Sequence, residues 1–200
     1  MTDLERVKRD GRALEFVEYQ TPEICLAAVK QNGYALQYVE KQTHEICLAA
    51  VKQDGYILEY VKDRNPGLCL MAVRQSGCAL EFVKNQTPEI CLAAVKQNGR
   101  ALEFVKEQTH ELRLEAVKQN GWAIKYIKEQ THEICLAAVK QTGYALGYIK
   151  DQTPEICLIA VEQNVAVLEY VNKEFKFLFR DEFKGLTLEQ IQDKVPELFL

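Results

Sequence analysis

Few side chains in this sequence are placed to do covalent chemistry. The histidines His44, His110 and His132 each follow a threonine, in the phrase T-H-E. T-H-E-I-C is not the H-E-x-x-H that presents two zinc ligands on one helix face. Ser76 is the single serine and has no Asp–His setting, so a serine nucleophile has no activating base. No G-x-G-x-x-G or P-loop glycine run is present to cradle a phosphate. Six of the seven cysteines, Cys25, Cys47, Cys69, Cys91, Cys135 and Cys157, fall at multiples of 22 residues, and Cys78 stands outside the series. Without a C-x-x-C, structural zinc is not expected. Equivalent residues of stacked helices lie about 8–10 Å apart, whereas a disulfide needs Cα atoms within about 7 Å. The thiols are therefore expected to be reduced core residues. These residue types point to a protein that is not an enzyme and holds no metal or cofactor.

Residues suited to contact are more plentiful. Directly after each repeated glycine, or its replacement Val165, stand Arg12, Tyr34, Tyr56, Cys78, Arg100, Trp122, Tyr144 and Ala166. The neighbouring positions are almost copied from unit to unit, and this one varies. It samples mostly Tyr, Trp and Arg, the types that dominate binding hot spots. Tyr34, Tyr56, Arg100, Trp122 and Tyr144 are thus the candidate partner-binding residues, a ridge centred on the last three. A second ladder, Lys30, Lys52, Arg74, Lys96, Lys118 and Lys140, sets one cation per unit along a candidate anion-facing edge. The helix dipole alone also favours cations there. A third series, Phe16, Tyr38, Tyr60, Phe82, Phe104, Tyr126, Tyr148 and Tyr170, stays aromatic in every unit and reads as a core spine.

A repeat positions these ladders. Thr21 opens T-P-E-I-C-L-A-A-V-K-Q-N-G-Y-A-L-Q-Y-V-E-K-Q, and the unit restarts at Thr43, Asn65, Thr87, Thr109, Thr131 and Thr153. A truncated first copy keeps Leu4, Val7, Lys8 and Gly11 in phase. The threonine is a good N-cap, and Pro22, Pro88 and Pro154 sit where a missing N–H costs nothing. I-C-L-A-A-V is apolar around most of its circumference, which predicts a helix covered on several sides. Gly33 is expected to supply a left-handed stop. A second helix is expected from Tyr34 to about Lys41, burying Ala35, Leu36 and Val39.

Helices this short are marginal alone, so stability must come from stacking. The fold class is all-α: an α-solenoid of eight 22-residue helical hairpins with a C-terminal helical cap. Residues 1–172 form the solenoid, with an N-terminal capping repeat at 1–20 and inner repeats at 21–172. Residues 173–200 form the capping segment, carrying Phe175, Phe177, Leu178, Phe179 and Phe183 and a capping box of Thr187 with Gln190.

The chain has 200 residues, 48% of them hydrophobic, and a formal net charge of -4. That charge argues against wholesale binding to nucleic acid or anionic lipid. No apolar run reaches the roughly 18 residues of a membrane span, and Met1–Arg6 lacks a signal-peptide core. The expected compartment is the cytoplasm, and the expected state is a monomer.

The phrase A-V-K-Q-N-G-x-A-L-x-Y-V, at Ala28–Val39 and with Phe104 for the tyrosine at Ala94–Val105, resembles a family known only as domain of unknown function number 4116. The resemblance spans about residues 7–171. It implies tandem short helical repeats and brings no activity, cofactor or catalytic residue. The function read from the residues is a scaffold that binds another protein through the Tyr/Trp/Arg ridge. Single-stranded nucleic acid, or a small anionic ligand such as a nucleotide in the solenoid groove, is the alternative.

Overall fold

A computed structural model describes residues 1–180, 185–194 and 196. Phe183 of the expected C-terminal cap lies outside the described residues. The chain forms two compact units, Met1–Gln108 and Thr109–Leu200. Both are helical stacks, and no strand occurs among the described residues. The fold is an α-solenoid in class.

The first unit holds the α-helices Asp3–Arg9, Pro22–Gln31, His44–Val51, Pro66–Gln75 and Pro88–Gln97 (α1 to α5). The second holds His110–Gln119, His132–Gln141 and Pro154–Gln163 (α6 to α8), and Leu188–Lys194 (α9). Each of α1 to α8 is followed by a six-residue 3-10 helix, as in Gly33–Tyr38 after α2 and Gly121–Tyr126 after α6. A further 3-10 helix spans Lys173–Phe179. No helix among the described residues is long and apolar enough to cross a membrane.

The threonines cap as their chemistry dictates. Thr21 Oγ1 accepts from the Ile24 N–H at 3.3 Å, and Asn65 Oδ1 does the same for Leu68 at 3.0 Å. The helix ends differently from the expectation. No repeat glycine has a positive φ; Gly185, at 83°, is alone in that region among the described residues. The stop is instead Asn32, in extended conformation at φ -148°, ψ 110°. Its N–H closes α2 on the Ala28 carbonyl at 2.9 Å, and its side chain accepts from the Tyr34 N–H at 3.1 Å. One residue thus ends the α-helix and begins the next helix.

That next helix is a correction too. It is a 3-10 helix ending at Tyr38, with Val39 already extended. Three residues per turn eclipse positions i and i+3. Gly33 and Leu36 therefore share an inward line, and Tyr34 and Gln37 an outward one. Ala35, Leu36 and Val39 are buried as expected.

Stacking explains the glycine. A Cβ at Gly121 would lie 2.6 Å from the Ala138 carbonyl oxygen of the following repeat, and one at Gly143 would lie 2.6 Å from that of Ala160. Only a residue without a side chain lets the two backbones approach this closely. Val165, in the glycine position of the last repeat, is 72% exposed.

Two glutamine ladders, not foreseen from the sequence, tie neighbouring repeats. Gln53 accepts from the Gly33 N–H at 2.8 Å and donates to the Val29 carbonyl at 2.6 Å. Gln20 donates to the Tyr38 carbonyl at 2.8 Å and accepts from the Glu40 N–H at 3.0 Å. The primary amide, donor and acceptor at one end, is the side chain that can bridge two backbone groups of opposite kind. At the C-terminal end, Leu178 is buried against Leu158, Phe175, Phe177, Phe179, Leu186 and Leu188.

Candidate functional site

The first turn of each 3-10 helix aims the variable position outward. Tyr34, Tyr56, Trp122 and Tyr144 are 38%, 42%, 40% and 36% exposed, and Arg100 is exposed as well. In the second unit the Trp122 ring stacks on Tyr144, with centroids 6.0 Å apart and planes 13° apart. Trp122 also meets Tyr148 edge-on at 5.9 Å. The first unit carries two edge-on pairs, Tyr34 with Tyr60 at 6.2 Å and Tyr56 with Phe82 at 6.4 Å.

These pairs revise the expected core spine. Phe16, Tyr148 and Tyr170 are exposed, and Tyr38, Tyr60, Phe82, Phe104 and Tyr126 are half-buried. The interior beneath each 3-10 helix is already filled by residues such as Ala145 and Leu146. The aromatic at the helix end therefore lies on the surface, where in three repeats it packs against the ridge residue of the repeat before it. Ridge and supposed spine form one aromatic surface within each unit.

Polar contacts fix part of it. The Tyr34 hydroxyl donates to Asp54 Oδ2 at 2.7 Å. That hydrogen bond, followed by burial and the Asp54 charge, pushes the Tyr34 phenol up to about 12. Burial raises the Tyr56 phenol; Cys78 adds to the rise and the Arg100 guanidinium opposes it.

The cation ladder Lys30, Lys52, Arg74, Lys96, Lys118 and Lys140 is exposed throughout. All but Lys52 lie in the last turn of an α-helix; Lys52 follows α3 directly as its C-cap. The ladder belongs to the α-helices and the ridge to the 3-10 helices, so the two occupy separate elements.

The remaining chemistry-bearing residues have structural surroundings. His110 Nε2 meets Glu133 Oε2 of the next repeat at 3.1 Å, and His132 meets Glu155 likewise. The six ladder cysteines are buried, and Cys78 is half-buried. Burial pushes the Cys135 thiol up to about 11 and Cys157 to about 12, with the charges of Asp151 and Glu174 adding to the respective rises. Among the described residues no group of histidine, cysteine and carboxylate side chains could hold a metal ion.

The model of a single family, described as a domain of unknown function (DUF4116), matches the chain in seven overlapping segments: residues 4–43, 21–65, 43–87, 65–113, 87–131, 109–153 and 132–176. No curated protein and no solved structure matches.

Proposed function

The chain belongs to the DUF4116 family, and from that premise we propose that it is a non-enzymatic repeat scaffold that binds another protein through the exposed rings and arginine of its 3-10 helices. The observation that carries the reading is Trp122. It is the one tryptophan of the chain, and it stands 40% exposed, stacked on Tyr144 and buttressed by Tyr148. Rings already held by neighbours lose little freedom on binding, which lowers the cost of making contact. Large aromatic rings and arginine supply most of the energy at protein interfaces. The scaffold is read as a cytoplasmic monomer.

The same stacking argues against the alternative of single-stranded nucleic acid. A base stacks on a free aromatic face, and the facing sides of Trp122 and Tyr144 are turned to each other at 6.0 Å. The test is affinity capture from the native cell lysate, comparing wild type with an Arg100→Ala, Trp122→Ala, Tyr144→Ala variant of verified helicity. A protein retained by wild type and lost by the variant supports the reading. A protein retained equally by both removes the ridge from it. If nothing but nucleic acid or a small anion is retained, and with an affinity that falls as salt rises, the reading fails.

A further inference from the structure

The α-helices carry a second surface, independent of the aromatic one. Within I-C-L-A-A-V the isoleucine, the cysteine, the second alanine and the valine face inward. The leucine and first alanine do not: from Leu26-Ala27 to Leu136-Ala137 they are only partly covered. Each α-helix is covered on several sides, as expected, by the neighbouring α-helices and the 3-10 helices, and its remaining face is left open.

Glu23, Leu26, Ala27 and Lys30 recur at i, i+3, i+4 and i+7, so they line one face of a helix. Stacked copies give a largely apolar floor, interrupted by Glu115 at the Ala27 position, with carboxylates along one rim (Gly67 in one copy) and cations along the other. Such a groove is found in each unit among the described residues. In the first, Arg74, Glu89, Leu92, Ala93 and Lys96 line a cavity of about 370 Å³. In the second, the counterparts two repeats along, Lys118, Glu133, Leu136, Ala137 and Lys140, line one of about 460 Å³. The same positions form a groove twice, in different surroundings.

The two rims are not equivalent. Glu133 is engaged by His110 at 3.1 Å, and Glu89 lies 3.9 Å from Arg74. The ammonium groups of Lys96, Lys118 and Lys140 have no ion pair or hydrogen bond among the described residues. Each groove is lined by two cations and one carboxylate, so its net charge is positive.

We infer that each groove binds an amphipathic segment of a partner protein, its leucine-like side chains on the Leu92 or Leu136 floor and its carboxylates against the lysine rim. Apolar burial supplies the attraction, and the free cations select the sign of the flank. A segment flanked by lysine would face Lys96 or Lys140 with like charge. This site does not depend on the aromatic surface.

The test is fluorescence anisotropy on the full chain, with a labelled helical peptide bearing leucines on one face and glutamates on one flank. Its counterpart carries lysines on that flank. The glutamate peptide should bind at least about tenfold more tightly. A rim variant, Lys96→Gln, Lys118→Gln, Lys140→Gln, and a floor variant, Leu92→Gln, Leu136→Gln, should each weaken it by about tenfold or more. The rim lysines are exposed, so that variant keeps its fold, and circular dichroism checks both. Trp122→Ala, Tyr144→Ala should leave peptide binding unchanged, which separates this site from the ridge. Equal binding of the two peptides overturns the inference. So does a floor variant that binds like wild type while the rim variant loses the peptide and a single-stranded oligonucleotide alike, since the rim would then be a general polyanion site.

Discussion

Replacing Gly121 with alanine tests the reason for the repeat's glycine. The added Cβ would stand 2.6 Å from the Ala138 carbonyl oxygen and 2.7 Å from Thr142 Cγ2. The methyl of Thr142 can turn aside. The carbonyl cannot, because it already accepts the Thr142 N–H at 2.9 Å as the closing bond of α7. Neighbouring repeats must separate, and overpacking of this kind costs about 1–3 kcal/mol. Loss of glycine's freedom in the unfolded chain returns about 0.4–1 kcal/mol. The expected net loss is about 1 kcal/mol. Gly147 is the internal control: in the same unit, the atoms nearest a Cβ there belong to the Tyr170 ring, at 3.5 Å, which is ordinary contact. Gly147→Ala should be neutral or stabilising by up to about 1 kcal/mol. The two variants should therefore melt about 2–8 °C apart in circular dichroism. A stop glycine with positive φ would also suffer on substitution, but here the φ is negative and crowding is the whole cause. Melting of Gly121→Ala within a degree or so of Gly147→Ala would refute the account of stacking.

Gln53→Ala leaves the Gly33 N–H and the Val29 carbonyl without their bridge. It should cost about 1–3 kcal/mol in urea unfolding and speed hydrogen exchange at Gly33; an unchanged midpoint would mean that the glutamine ladder is ornamental. Half-buried Cys78 should be alkylated before the six buried thiols in native protein, as read by peptide mass spectrometry. Early labelling of Cys157 would contradict its burial. The raised Cys157 thiol also sets an alkaline dependence. Its ordinary value is 9.0 and its folded value about 12, so the neutral thiol's contribution is intact below pH 9 and is lost as pH rises toward 12. Cys157→Ala should flatten that part of the stability profile, and a profile of the same shape in the variant would rule the thiol out as its source.

The repeat, its length, its caps and the α-helices follow from local chemistry: a hydroxyl or amide before a proline or histidine, an acidic first turn, a run of apolar residues. The contacts between repeats do not, because they depend on what the next copy brings alongside. Gly33 looks the same in sequence whether it turns left-handed or makes room for a neighbour. Gln53 and Gln20 read as solvated helix-end residues until the neighbouring backbone is placed beside them. The aromatic after Gln37 is assigned to the core by its constancy. The tight 3-10 turn, which the same residues form as readily as they would an α-turn, leaves it at the surface. The ridge was legible because it varies where everything around it is copied. The Leu92 and Leu136 grooves were hidden because an apolar helix face reads as buried whether or not anything covers it.

On the scaffold proposal, a protein partner closes over the Trp122 surface. Because the chain has one tryptophan, 5-fluorotryptophan gives a single 19F resonance from this ring. Titrating the captured partner into labelled protein should shift that resonance and abolish its sensitivity to exchange between light and heavy water, as solvent leaves the ring. Co-elution of a stable complex in which the resonance keeps its free position and its solvent sensitivity would contradict the claim.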